Sequence, residues 1–161
     1  MLKRPSPPLV TPCVPLPAVE VRDSPVHGKG VFASKALARG SSVGLYAGRR
    51  YTARQIARVD WDRKLTYLFG LSDGNTIDGG EGGNATRHLN HACAPNCEAV
   101  EEEGDDGQLT VRIVAIKRVR IGEELFIDYS LVADESASPS DYACHCGARA
   151  CRGTMLGARA D

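Results

Sequence analysis

The sequence predicts a β-dominated α+β fold, and three observations carry that prediction. Strand-like runs are short, turn signals built from Gly, Asp, Asn and Ser separate them, and helical patterning is confined to one capped stretch and one short turn. In chain order, Glu20-Val21-Arg22 and Gly30-Val31-Phe32-Ala33 read as extended pieces. Residues 42–48 alternate like a strand and end in a turn. Thr52 is placed to cap a helix over 53–62, with Ile56, Val59 and Trp61 toward one side. Tyr67-Leu68-Phe69-Gly70-Leu71 reads as a strand, Ser72-Asp73-Gly74-Asn75 as a hairpin turn, and Thr76-Ile77-Asp78 as the return. The glycine-rich loop 79–83 leads into a helical turn at 84–89. Strands at 97–100 and 109–115 flank an acidic tip, 101–107, read as a solvated turn. The last strand is expected over 121–129, before a loop rich in Ser, Ala and Asp and a cysteine-rich tail.

Bulk properties narrow the function classes. A chain of 161 residues is one ordinary domain plus some trimming, and 42% hydrophobic with 25% charged residues fits a globular core. Lys+Arg and Asp+Glu balance at 20 each, so no global field draws the chain to nucleic acid or to a membrane. No run approaches the ~20 apolar residues that span a bilayer. Seven of the nine prolines precede His27, and residues 1–19 read as an extended arm. That arm has no apolar core of a Sec signal, and a cytoplasmic location is expected.

Six cysteines stand at 13, 93, 97, 144, 146 and 151, three of them within eight residues, which favours thiolates on a metal over a disulfide framework. Cys144-His145-Cys146 followed by Cys151 gives three thiolates, and a tetrahedral zinc site needs a fourth ligand. Cys93 and Cys97 are candidates, with His145 a weaker one because its neighbours already constrain it. The tail is too short for its own core, so a metal is the economical way to order it.

Taken singly, His27-Gly28-Lys29-Gly30, Asn90-His91-Ala92-Cys93 and Glu124 to Tyr129 each suit an ordinary turn or strand. Their order is more specific. H-G-x-G from His27, Y-x-G from Tyr46, R-x-x-N-H-x-C-x-P-N from Arg87, G-E-E-L-x-x-D-Y from Gly122 and C-x-C-x4-C from Cys144 together resemble the SET-domain family with its post-SET zinc segment. The resemblance runs from Val21 to Met155.

That resemblance implies a SET domain over 20–132, built of several small antiparallel sheets with a C-terminal pseudoknot, and a zinc-bound post-SET tail over 140–157. It implies an S-adenosylmethionine-dependent protein-lysine methyltransferase. His27, Gly28, Lys29, Gly30, Tyr67, Asn90 and His91 then contact the cofactor. Tyr129 matches the catalytic tyrosine, Tyr46 a tyrosine lining the lysine channel, and Ile127 the position that tunes how many methyl groups are added. Cys93 becomes the fourth ligand of one structural zinc beside Cys144, Cys146 and Cys151, and Cys97 a bystander. The implied partner is a protein with an accessible lysine, histone or other, with no direct contact to nucleic acid or membrane. The short insert and the lack of a cysteine-rich segment before Val21 resemble compact bacterial and viral members. Two rival readings remain: a silent SET module that binds a partner, disfavoured because Tyr129, Asn90 and His91 are all present, and a zinc-bearing nucleic-acid module suggested by Arg149, Arg152 and Arg159, disfavoured by the neutral charge.

Overall fold

Hydrogen-bond pairing between short strands, rather than helix packing, organises the chain. The computed structural model describes residues 16–59, 67–133 and 135–157; the expected arm 1–19 lies mostly outside them, as does Trp61. The strands are β1 (Val19–Asp23), β2 (Lys29–Ala33), β3 (Ser42–Leu45), β4 (Arg49–Tyr51), β5 (Leu68–Gly70), β6 (Thr76–Asp78), β7 (Asn90–His91), β8 (Cys97–Glu103), β9 (Leu109–Ala115) and β10 (Glu124–Ile127), with one short helix, α1 (Ala53–Ile56). Three small sheets result, in the orders β1-β2-β10-β7, β3-β9-β8 and β4-β6-β5.

The first sheet holds the C-terminal part of the fold. β10 lies between β2, to which it runs antiparallel, and β7, to which it runs parallel with Phe126 opposite Asn90 and Ile127 opposite His91. A late strand is thus received between two earlier ones, which ties the C-terminal part of the fold into the first sheet. Asn96 secures it: its amide donates to the Glu124 carbonyl at 2.8 Å and its oxygen accepts the Phe126 N–H at 2.8 Å. One side chain therefore serves as a stretch of missing strand edge. Beneath it, Val31, Cys97, Val111, Ile113, Val119 and Leu125 are fully buried in one apolar cluster drawn from the first two sheets.

Several expected boundaries shift, each for a physical reason. Thr52 does cap α1 through a reciprocal box with Gln55, at 3.2 and 2.8 Å. The described helix nonetheless ends at Ile56 and buries none of its residues, so no apolar face stabilises a longer one; residues 60–62 of the expected helix lie outside the described residues. The acidic tip is shorter than expected, because β8 continues to Glu103, opposite Leu109. Its acidic side chains are accommodated by pairing outward, Glu102 with Arg112 at 2.7 Å and Glu101 with Ser72. The last strand is four residues rather than nine. Residues 120–123 turn instead, and Tyr129 leaves the sheet because its N–H is taken by His91. β3 stops at Leu45 after an irregular register at Gly44. Among the described residues no helix is long and apolar enough to cross a membrane.

Replacing Asn96 by Ala removes both bonds that bracket β10 and strands a backbone donor and an acceptor. Urea denaturation should show a loss of about 1–3 kcal/mol with an unchanged m-value; wild-type stability would mean the sheet holds β10 without the Asn96 hook.

Candidate active site and metal centre

The first side of the site is the turn between β1 and β2. Its backbone closes through Ser24 N–H to the Gly28 carbonyl at 2.7 Å, and the Ser24 hydroxyl accepts from Val26 at 3.0 Å. Asn90, buried in β7, donates its side-chain amide toward the carbonyls of His27 and Lys29, at 3.1 and 3.0 Å, and toward Glu124 at 2.8 Å. Two N–H groups thus serve three acceptors, locking the turn against the central strand. Glu124 completes the lock by accepting from the Ser24 hydroxyl at 2.9 Å. Gly30 is required here, because a Cβ would lie 2.2 Å from a Glu124 oxygen. Gly28, by contrast, faces open space, with no atom within 4 Å of where a side chain would begin. Lys29 reaches the exposed Asp23 at 2.6 Å, a pair that contributes little to stability.

Tyrosines form the second side. The Tyr46 hydroxyl donates to the Tyr67 carbonyl at 2.7 Å, and the Tyr129 hydroxyl to the Leu89 carbonyl at 2.6 Å. Burial is the main cause that raises both phenols, Tyr129 to about 12; Tyr129 and Asp78 add to the effect on Tyr46, and Tyr67 to that on Tyr129. Tyr46 fits only because residue 79 is Gly: a Cβ there would sit 2.8 Å from its hydroxyl. The Arg87 guanidinium lies 5.7 Å over the Tyr67 ring, and His88 meets that ring edge-on at 5.9 Å. Burial lowers the His88 pKa, with Arg87 and Lys29 adding to the effect. Asn84 joins this wall to the sheets, bonding the Leu45 carbonyl just before Tyr46 and capping its own 3-10 turn through Thr86. Ile127, 5% exposed, packs in the cluster that also holds Tyr46 and Leu89.

The third part is sulfur. Ligand atoms of Cys93, Cys144, Cys146 and Cys151 all lie within 4.8 Å of one another, with Cys93 Sγ 3.7 Å from Cys144 and 3.9 Å from Cys151. Bonds of ~2.3 Å to a tetrahedral zinc place sulfurs ~3.8 Å apart, so the four thiolates fit such an ion. Cys97 sits apart and fully buried, its thiol pushed up to about 12 by desolvation, and His145 is exposed.

His91 ties sulfur to tyrosine. Burial lowers its pKa, and the Asp128 carboxylate opposes that only in part. The neutral ring accepts the Tyr129 N–H at Nδ1, 3.0 Å, which leaves the proton on Nε2 facing Cys93 Sγ at 3.4 Å. The sequence-predicted residues His27 to Gly30, Tyr46, Tyr67, Asn90, His91, Ile127, Tyr129, Cys93, Cys144, Cys146 and Cys151 lie on these three parts, whereas Cys97 and His145 stand outside the sulfur cluster. Five positions have structural roles that the sequence did not reveal: Glu124, Asn96, Asn84 and the pair Asp128–Arg152, whose side chains meet through two bonds of 2.8 Å. Glu124 and Asn96 stand inside quoted motifs, but a motif letter does not say which backbone it will hold.

A family model described as SET domain matches residues 28–130. Human Histone-lysine N-methyltransferase 2B is 33% identical over 141 residues, covering 84% of this chain and 5% of that protein. The H3 lysine-4 specific histone-lysine N-methyltransferase of Mycosarcoma maydis is 34% identical over 138 residues, covering 80% of this chain and 9% of that protein. The chain therefore spans only a small part of the curated relatives it matches. Among solved structures, an active polycomb repressive complex 2 in the basal state has a TM-score of 0.65 at 30% identity, covering 71% of this chain and 15% of that one. The ctPRC2 in an autoinhibited conformation bound to S-adenosylmethionine has a TM-score of 0.62 at 29% identity, covering 70% and 15%.

The cysteine geometry makes a selective prediction. Elemental analysis should give about one zinc per chain in the wild type and in Cys97→Ser, and a loss of metal in Cys93→Ser. The reverse pattern would mean that the sulfur cluster is not the metal site.

Proposed function

The chain belongs to the SET-domain family, and from that membership we propose that it is an S-adenosylmethionine-dependent methyltransferase acting on the ε-amine of a protein lysine, with one structural zinc held by Cys93, Cys144, Cys146 and Cys151. One observation carries the reading: two phenols, the buried Tyr46 and the 37% exposed Tyr129, each give their proton to a backbone carbonyl and keep their oxygens as acceptors. The names of the relatives support a histone as substrate, and any protein with an accessible lysine meets the same chemistry.

S-adenosylmethionine supplies a methyl group on a positively charged sulfur, and the open turn at Gly28 and the paired Tyr67 and His88 rings suit such a ligand. Asn90 and Glu124 hold that turn rigid, so its backbone groups need no reorganisation on binding. Lysine must arrive neutral, and its ordinary pKa of ~10.4 works against that. The apolar surround of Ile127 and Leu89 lowers it by desolvation. Tyr129 serves as a hydrogen-bonding group rather than as a strong base: desolvation, with Tyr67 adding to it, pushes its phenol up to about 12, so it stays protonated at neutral pH. The Tyr129 and Tyr46 oxygens instead accept amine N–H groups, which leaves the nitrogen lone pair free to point along the line of transfer. Orientation of that kind is the main contribution these side chains make to the rate.

Tyr129→Phe keeps the ring and removes the acceptor. Steady-state assays with a lysine peptide should show turnover falling at least ~100-fold, about 2.7 kcal/mol, while calorimetric binding of S-adenosylmethionine is little changed. Near-normal turnover would remove Tyr129 from the central role.

Ile127 offers no hydrogen bond to a water that would occupy the space of an added methyl, and a dry apolar wall accommodates a bulkier amine. Mass spectrometry at long reaction times should find di- or trimethyl-lysine from the wild type and mainly monomethyl-lysine from Ile127→Tyr. A melting temperature for the variant separates this from overpacking of a 5% exposed site. Wild-type enzyme that stalls at monomethyl-lysine would assign the limit to another residue.

A further inference from the structure

The last strand presents Asp128 and Tyr129 and then turns sharply. The segment that follows Cys151 comes back over that turn and is bonded to it at several points. Arg152 lies between them: Nη1 donates to Asp128 Oδ2 and Nη2 to Asp128 Oδ1, both at 2.8 Å, and Nη2 reaches on to the Leu156 carbonyl at 3.4 Å. Its own N–H points at Cys93 Sγ, 3.4 Å away. Asp128 Oδ1 also accepts the Ser130 N–H at 2.9 Å. The Leu131 N–H donates to Met155 at 3.1 Å and the Gly157 N–H to Leu131 at 3.0 Å, a short parallel ladder between the two segments.

The backbone between them is strained. Ser130 has φ +43°, the left-handed region that a residue with a Cβ enters at a cost, and among the described residues no other non-glycine does so. Such a conformation persists only where the surroundings over-determine it. The Asp128 carboxylate is the natural agent, since it bonds Ser130 on one side and is itself gripped by Arg152 on the other. A planar guanidinium and a planar carboxylate joined by two parallel bonds fix each other's orientation, which a lysine ammonium cannot do. Both side chains are about one-third exposed, so the pair is partly shielded from water.

We propose that Arg152 is a positioning residue: by forking the Asp128 carboxylate it fixes the turn that presents Tyr129, so the cysteine segment must be folded before the tyrosine is aligned. His91 forms a second tether between the same two regions, running from Cys93 to the Tyr129 N–H. Arg152 acts through the residue before Tyr129, Asp128, whose Oδ1 also lies 3.6 Å from His91 Nδ1. The kinetic part of this inference rests on the methyltransferase reading; the structural part does not.

The test uses the full zinc-loaded chain with Arg152→Gln, Arg152→Lys, Asp128→Asn, the double variant Asp128→Asn/Arg152→Gln, and Arg149→Gln as a control at an exposed neighbour. Three quantities are read: zinc per chain, amide hydrogen exchange at residues 129 and 131, and kcat with KM for a lysine peptide. For Arg152→Gln and Asp128→Asn the expectation is retained zinc and exchange faster by at least ~10-fold at 129 and 131. Their kcat should fall at least ~10-fold, about 1.4 kcal/mol, with peptide KM within ~2-fold of wild type. Arg152→Lys should recover only part of the loss, and the double variant should be no worse than the more damaged single one. Arg149→Gln should match the wild type. Unchanged exchange and kcat in zinc-replete Arg152→Gln would overturn the proposal. So would additive losses in the double variant, full rescue by lysine, or loss of zinc on removing Arg152, which would make the residue a support of the metal site. If the wild type transfers no methyl group, the methyltransferase reading fails by itself, and zinc content and exchange still decide the clamp.

Discussion

Everything in the site depends on β10 being held between β2 and β7. Those contacts are few: four strand residues, a parallel neighbour of two residues, and an antiparallel pairing through Glu124 and Leu125. Side chains supply what the short ladders lack. Asn96 bonds the strand's backbone, Asn90 reaches across to the turn before β2, and Glu124 accepts from both that turn and Asn90. Polar groups buried this way are costly unless every one is satisfied, and among the described residues no buried side-chain nitrogen or oxygen lacks a partner. A satisfied polar network of this sort specifies one arrangement where apolar packing would tolerate several.

From that arrangement the chemistry follows with little further adjustment. The register of β10 sets Ile127 beside His91 and carries Tyr129 to the Leu89 carbonyl. Glycines at 30 and 79 remove the atoms that would otherwise stop Glu124 and Tyr46 from closing in. Both phenol hydroxyls are then held by backbone carbonyls, Tyr46 by that of Tyr67 and Tyr129 by that of Leu89. Sulfur enters the same construction. His91 links a cysteine to the Tyr129 backbone, and Arg152 links the tail to Asp128. A tail with almost no core of its own is thereby tied to Asp128, 24 positions before Arg152.

The limits of reading the sequence are visible at particular residues. Local turn chemistry was legible: the Thr52 cap and the Ser72 to Asn75 turn appear where their residue types demand. Strand ends were not. The Glu101 to Glu103 run looks like a solvated tip, yet pairing with β9 recruits it because an edge strand can carry acidic side chains outward. The helix after Thr52 looks longer than the described one, since a capping box says where a helix starts and nothing about whether a face awaits it. Arg152 read as one of several cations near cysteines, because charge in a sequence has no address.

By itself, the sequence determined the residue types and their order: the turn at 27–30, the Asn90-His91 pair, the Asp128-Tyr129 pair, the three clustered cysteines and the β-dominated class. Those features are local, fixed by short-range sterics and by the ligand preferences of thiolates. Only the tertiary structure decided which distant groups meet. It selected Cys93 over Cys97 by bringing one sulfur to 3.7 Å from Cys144 and burying the other in the core. It turned Asn90, Glu124 and Asn96 into a frame for β10, and it aimed both phenol protons at backbone carbonyls. The reason is physical: such contacts join residues some 20 to 100 positions apart, and their geometry exists only after the chain has closed on itself.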